Sequence, residues 1–175
     1  MNNRFILIFT SVALLFSCTR PQVELQEQIE AQEQSLRNDS SPLPDRAKAE
    51  ELMGLYLKYA NDFKDDTLSP AYLLKTGELC IALGQYDEAL KHLAGVMRYK
   101  QSIHTAQALF LQGFVCENYL RQLEDARKYY ERFVKEYPNH PLSADVQVLI
   151  AQLGMTPEDL VRQFEQKQSD SLQLP

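Results

Sequence analysis

Side chains able to act as nucleophiles, bases or metal ligands are few and scattered: the 175 residues hold cysteines at 18, 80 and 116 and histidines at 92, 104 and 140. A catalytic nucleophile needs a base within hydrogen-bond reach and a third group to orient that base. The histidines offer no such grouping. His92 falls on a charged helix face, and His104 and His140 sit at helix starts in corresponding loops. Acid–base catalysis by paired carboxyls needs surroundings that push two pKa values apart, whereas Glu50-Glu51, Asp65-Asp66 and Asp87-Glu88 lie in solvated helix faces or turns. No glycine-rich phosphate loop, HExxH or GxSxG occurs. An odd number of cysteines with no close pair supplies neither a zinc ligand set nor a disulfide framework. The expectation is no catalytic residue, no metal site, no cofactor and no enzymatic activity.

What does recur is a packing pattern. Ala71 to Ala89 (AYLLKTGELCIALGQYDEA) reads as helix, tight turn and helix, and is echoed 36 to 37 residues later, with Gly77 returning as Gly113, Cys80 as Cys116 and Ala89 as Ala126. A repeating unit of this length is a helical hairpin that cannot bury its apolar face alone and stacks on copies of itself. Leu73, Leu74, Leu79, Ile81 and Leu83 load the first helix, and Gly84 stops it by accepting a left-handed backbone. Tyr86, Ala89, Leu90, Leu93, Val96 and Met97 form the stripe of the second. Small residues at Gly77 and Ala89 allow close approach of the two helices. Equivalent sites on stacked hairpins lie roughly 10 Å apart, beyond the roughly 7 Å that a disulfide spans. Cys80 and Cys116 are therefore expected as buried small apolar residues.

This pattern, with GQYDEA at the turn, resembles the tetratricopeptide (TPR) repeat. In the second copy, LEDARKYYERFVKEYP, residues Ala126, Tyr130 and Tyr137-Pro138 match the family's second helix and closing proline. The copy departs from the family by two or three extra residues and by the lack of a turn glycine near Arg121. Phe63 to Ser69 (FKDDTLS) parallels Tyr137 to Ser143 (YPNHPLS) 74 residues on. The resemblance covers about residues 45–168 and implies an all-α fold, a TPR-type α-solenoid of helical hairpins, with Gly77, Ala89, Gly113, Ala126 and Pro138 at repeat-packing positions.

Local signals frame the array. Asp45 can cap a helix from Arg46 to about Asp62 with Ala47, Leu52, Leu55, Tyr56 and Tyr59 on its apolar side. Ser69-Pro70 reads as N-cap and first helical residue, and His140-Pro141 repeats the device before Leu142 to Leu153, stopped by Gly154. Thr156-Pro157-Glu158-Asp159 opens a last helix to about Lys167. Its Leu160, Val161 and Phe164 would close the end of the core, and residues 169–175 read as a disordered tail.

Ahead of the array, Arg4 precedes the apolar run Phe5 to Phe16, 12 residues that as a helix cannot cross a hydrocarbon core. Residues 1–17 are thus expected to be an export signal that is removed. Leu15-Phe16-Ser17-Cys18 resembles a bacterial lipobox, with a bulkier residue at Phe16 than the family usually has, which implies cleavage before a lipid-modified Cys18. The alternative is an ordinary signal peptide cut nearby. Acyl chains on Cys18 would anchor the chain stably. Residues 18–44 would be a short helix and linker. Leu25, Ile29 and Leu36 mark a two-heptad seam interrupted by Gln32, suited to docking on the domain, to a spacer or to self-association. If flexible throughout, residues 19–44 would reach about 30 Å from the bilayer.

With 18 basic against 24 acidic residues and a net charge of -6, the chain is not built for nucleic acid. In TPR proteins ligands lie along successive first helices, and the resemblance places Leu74, Lys75, Glu78, Gln107, Phe110, Phe114, Glu117, Gln147 and Ala151 in that groove. Phe110 and Phe114, four apart, share a face and would anchor an extended peptide or partner helix. Alternatively both rings pack against neighbouring helices, including the 19–37 helix folded back. The expected function is a lipid-anchored, periplasm-facing scaffold or adaptor for one or more envelope proteins, on the inner or outer membrane and monomeric. The chain is similar to the small relatives of the BamD-like assembly lipoproteins and of the periplasmic TPR protein that coordinates wall synthesis with envelope constriction. A holdase for outer-membrane proteins and a self-assembling spacer are the rivals.

Overall fold

A computed structural model describes residues 21–38 and 44–172. The expected signal at 1–17, Cys18 and residues 39–43 of the expected linker lie outside the described residues. Eight helices and no strand occur among the described residues, an all-α fold of the TPR type. They are α1 (residues 21–37), α2 (Arg46–Asp62), α3 (Ser69–Ala82), α4 (Tyr86–Val96), α5 (Thr105–Asn118), α6 (Leu123–Glu136), α7 (Ser143–Gln152) and α8 (Pro157–Leu172). Two compact units divide after Thr105, inside the 45–168 span expected as one domain. No described helix is long and apolar enough to cross a membrane.

In the first unit α2, α3 and α4 pack in succession. Asp45 Oδ1 accepts from the Lys48 amide at 3.0 Å and so caps α2. The apolar face of α2 is shifted from the expected one: Ala47 is exposed, while Ala49, Met53 and Ala60 join Leu52, Tyr56 and Tyr59 in the core. Ser69 does not cap α3. Helix begins at Ser69, whose hydroxyl donates to the Phe63 carbonyl at 2.5 Å, and the Leu68 amide is held by Asp66 Oδ1 at 2.8 Å. Gly84 at φ 74° ends the hairpin's first helix, and the Gln85 amide reaches back to the Cys80 carbonyl at 2.8 Å. A Cβ on Gly77 would lie 2.8 Å from the Leu93 side chain, and Ala89 is fully buried, so small residues set this helix spacing.

The same device recurs in the second unit. A Cβ on Gly113 would lie 2.6 Å from Tyr130 Cδ1, and Ala126 is fully buried. The turn differs, because Arg121 adopts φ 58° where the first hairpin has glycine. A side chain in that region carries strain of about 1 kcal/mol or more. Arg121→Gly is expected to leave stability unchanged or raise it by up to about 1 kcal/mol, once the greater freedom of unfolded glycine is set against the strain relieved. Thermal melts check this, and a loss beyond 1 kcal/mol would show that the arginine side chain itself holds the turn.

Pro138, expected at a repeat-packing position, is exposed just past the α6 C-cap Tyr137. Gly154 at φ 82° ends the turn after α7. Thr156 and Asp159 cap α8 reciprocally: the Asp159 amide donates to Thr156 Oγ1 and the Thr156 amide to Asp159 Oδ2, both at 3.2 Å. The Thr156 hydroxyl, which also donates to Asp159 Oδ2 at 2.8 Å, and then the Thr156 amide hold the Asp159 carboxyl below its ordinary pKa. Val161 is 57% exposed and does not close the core. The side chains of Leu160 and Phe164 lie outside the described residues. With no glycine or proline to stop it, α8 runs on to Leu172, so residues 169–172 of the expected tail are helical, and 173–175 lie outside the described residues.

Candidate functional site

The seam of α1 is used inside the chain. Leu25 and Ile29, 5% and 1% exposed, form one cluster with Leu52, Tyr56, Tyr59 and Tyr72, and Leu36 packs at its margin. Helix α1 therefore lies on α2 and α3, antiparallel to α2. Polar contacts run its length: Gln22 Nε2 donates to the Tyr59 hydroxyl and to Asp66 Oδ2, both at 2.7 Å, and Gln32 Nε2 to Glu51 Oε2 at 2.9 Å. Glu33 Oε1 accepts from the Tyr56 hydroxyl and from Lys75 Nζ, both at 2.6 Å. Lys75 also sits over the Tyr56 and Tyr72 rings, 5.6 and 5.7 Å from their centroids. The sequence reading missed Glu33. The signal was its place four residues after Ile29, a carboxyl on an apolar stripe that has to find a partner.

Of the groove residues placed here by resemblance, Lys75 and Glu78 line a cleft of about 340 Å³ shared with Glu33, Leu36 and Tyr56. Helix α1 thus occupies this side of α3, the arrangement in which residues 19–37 fold back. Leu74 is buried. Burial raises the Glu78 carboxyl pKa, and burial with the Glu33 contact raises the Tyr56 phenol. Tyr72 is pushed up to about 12, by burial first.

Burial alone would raise Glu33 as well, but its bonds from Lys75 and Tyr56 win and lower it. A carboxyl whose folded pKa is depressed adds stability above its unfolded pKa, and that contribution is lost as pH falls through the folded value. The α1 clasp is therefore expected to weaken below about pH 4. Glu33→Gln should be less stable than wild type at neutral pH and lose less on acidification, as denaturant melts at pH 3 and 7 would show. Parallel pH dependence in the two chains would remove Glu33 from the clasp.

In the second unit, Phe110 and Phe114 are partly exposed and stacked, with centroids 6.4 Å apart. Phe110 also meets Tyr130 and Phe133 at 6.1 and 6.3 Å, and Phe114 meets Tyr119 at 5.7 Å. Glu117 Oε2 accepts from the Tyr130 hydroxyl at 2.7 Å, which joins the groove carboxyl to the repeat-packing ring. Burial and that contact push the Tyr130 phenol up. Gln107 and Gln147 are exposed. The result is an aromatic patch on α5 with Gln107 and Glu117 on the same helix, part of each ring still facing solvent.

Neither described cysteine is poised as a nucleophile. Cys80 lies 3.6 Å from Met53 Sδ, and burial raises both the Cys80 and Cys116 thiols, which makes them poor nucleophiles. His92, expected on a solvated face, is mostly buried with Nε2 3.8 Å from Glu88, and burial lowers its pKa. Among the described residues no group of three His, Cys, Asp or Glu could hold a metal ion.

No curated protein matches the chain. Residues 107–140 match the family model of the tetratricopeptide repeat, a span that takes in nearly all of α5, the Arg121 turn and α6. The chain is thus an all-α protein of TPR-type helical hairpins in which α5 and α6 carry a tetratricopeptide repeat.

Proposed function

We propose that the protein is a lipid-anchored, periplasm-facing adaptor of a bacterial cell envelope that holds a protein partner on its TPR hairpins and performs no catalysis. Tetratricopeptide repeats mediate protein–protein interaction. The observation that carries the reading is the partly exposed Phe110–Phe114 pair on the first helix of the matched repeat. Aromatic side chains with a polar border are what a peptide or helix anchors on. The address rests on the Phe5 to Phe16 run and Cys18. Burial of Leu25 and Ile29 against the protein's own α2 and α3 takes up the seam that a self-assembling spacer would use.

Crosslinking in intact envelopes followed by purification tests the adaptor, comparing wild type with Phe110→Leu/Phe114→Leu, which keeps apolar volume beneath the rings. One enriched partner, lost in a variant that melts within a few degrees of wild type, is the expected result. An unchanged partner list removes the aromatic patch from the interaction, and many weak apolar clients would point to a holdase. Incorporation of labelled palmitate into wild type but not Cys18→Ala tests the anchor.

A further inference from the structure

We propose that the edge of the first unit formed by the α2–α3 and α4–α5 loops contacts the membrane, with Ile103 entering the headgroup region of the bilayer that holds Cys18; this rests on the anchor proposed above. Gln22 fixes the geometry. Its Nε2 bonds both Tyr59 and Asp66 at 2.7 Å, so the first turn of α1 is pinned to the α2–α3 loop. Cys18 precedes Gln22 by four residues, which span at most about 14 Å when fully extended. Chain length therefore ties any acyl group on Cys18 to within about 14 Å of the residue that bonds Asp66.

Asp66 shares a cleft of about 700 Å³ with Thr67, Pro70, Lys100, Ile103 and His104, so the α4–α5 loop borders the same edge. Ile103 is 88% exposed, more than any other large apolar side chain among the described residues, and Leu68 on the neighbouring loop is 39% exposed. A lone exposed apolar side chain on a soluble surface calls for no explanation. Its place on the cleft that Asp66 lines, within reach of a chain tethered before Gln22, is what gives Ile103 a partner. Charge does not drive the contact, since Arg98 and Lys100 are balanced by Asp65 and Asp66 on the same cleft. The attraction is apolar, and the anchor supplies the proximity that makes so small a contact count. With α1 docked, the reach of about 30 Å expected of a flexible 19–44 segment contracts to the few residues before Gln22.

The chain contains no tryptophan, so a single substitution introduces a unique reporter. Ile103→Trp places it on the proposed edge. Gln85→Trp places it beyond the far end of α3, a helix of 14 residues and hence about 21 Å long. Each mature chain, purified with its acyl groups and reconstituted into phosphatidylcholine vesicles with brominated tails, is read by emission and quenching. Ile103→Trp is expected to emit further to the blue and to be quenched about threefold more than Gln85→Trp. Equal weak quenching at both positions, in chains shown by mass spectrometry to be acylated on Cys18, overturns the membrane edge and leaves the anchor standing. A mature chain with no acyl group on Cys18 overturns the anchor and this inference with it.

Discussion

Gly113→Ala is expected to lower stability by about 2 kcal/mol, a fall of some 4–8 °C in Tm for a chain of this size. The added Cβ would sit 2.6 Å from Tyr130 Cδ1, closer than real side chains approach. That ring is fully buried, its hydroxyl is bonded to Glu117 at 2.7 Å, and Phe110 lies beside it. Overpacking costs about 1–3 kcal/mol, and a fixed, fully buried ring in the way puts this site at the upper end; the gain in helix propensity from glycine to alanine, about 1 kcal/mol, leaves a net loss of about 2 kcal/mol. Gly54 gives the opposite sign. Nothing lies within 4 Å of its Cβ position on the exposed face of α2, so Gly54→Ala should gain about 1 kcal/mol. Gly77→Ala should fall between them, because its obstacle is the end of the Leu93 side chain, which can rotate. Thermal melts of the three variants decide the matter. A Gly113→Ala chain as stable as wild type would mean that the close approach of α5 and Tyr130 does not require a glycine.

Ile29→Ala is expected to release α1 without unfolding the hairpins. Ile29 is 1% exposed in the cluster with Leu52, Tyr56, Tyr59 and Tyr72. Loss of its buried methylenes costs about 3 kcal/mol. That loss falls on the docking of a 17-residue helix, which is marginal in water once detached. Amide exchange across residues 21–37 should accelerate by about 100-fold, since each 1.4 kcal/mol is a factor of ten in the opening equilibrium. Amides in α4 and α6 should keep their wild-type rates. Equal acceleration in all helices would show that α1 is an integral part of one cooperative unit.

The hairpins were legible because their signals are local. Gly84 takes the left-handed backbone assigned to it, Gly154 follows α7 at the expected helix stop, and Asp45 caps where its spacing before Lys48 allows. Phe110 and Phe114, four residues apart, do share a face. What escaped the sequence depended on partners distant in the chain. Leu25, Ile29 and Leu36 read as a seam, yet nothing in residues 19–37 says that its other half is a tyrosine cluster drawn from α2 and α3. The same ignorance left Leu74 in the groove and Lys75 without Glu33. Ser69 looked like a cap because serine before proline usually is one, but the adjacent Asp66 takes the loop amide and frees the serine hydroxyl for Phe63. The polar tail after Lys167 resembled disorder, although it holds no helix-breaking residue before Leu172.

Site-specific photocrosslinking in intact envelopes tests most directly whether the α5 side of the matched repeat receives a partner. Reporters are placed at Gln107, exposed one turn before Phe110 on α5, and at Gln147, exposed on α7 and assigned to the groove by the family resemblance, and one at the exposed Lys128 on α6 serves as the control. The expected result is one discrete adduct from Gln107 or Gln147 that is absent from Lys128 and is lost when Phe114 is replaced by Leu. The same adducts from all three positions, or none from any, would contradict it.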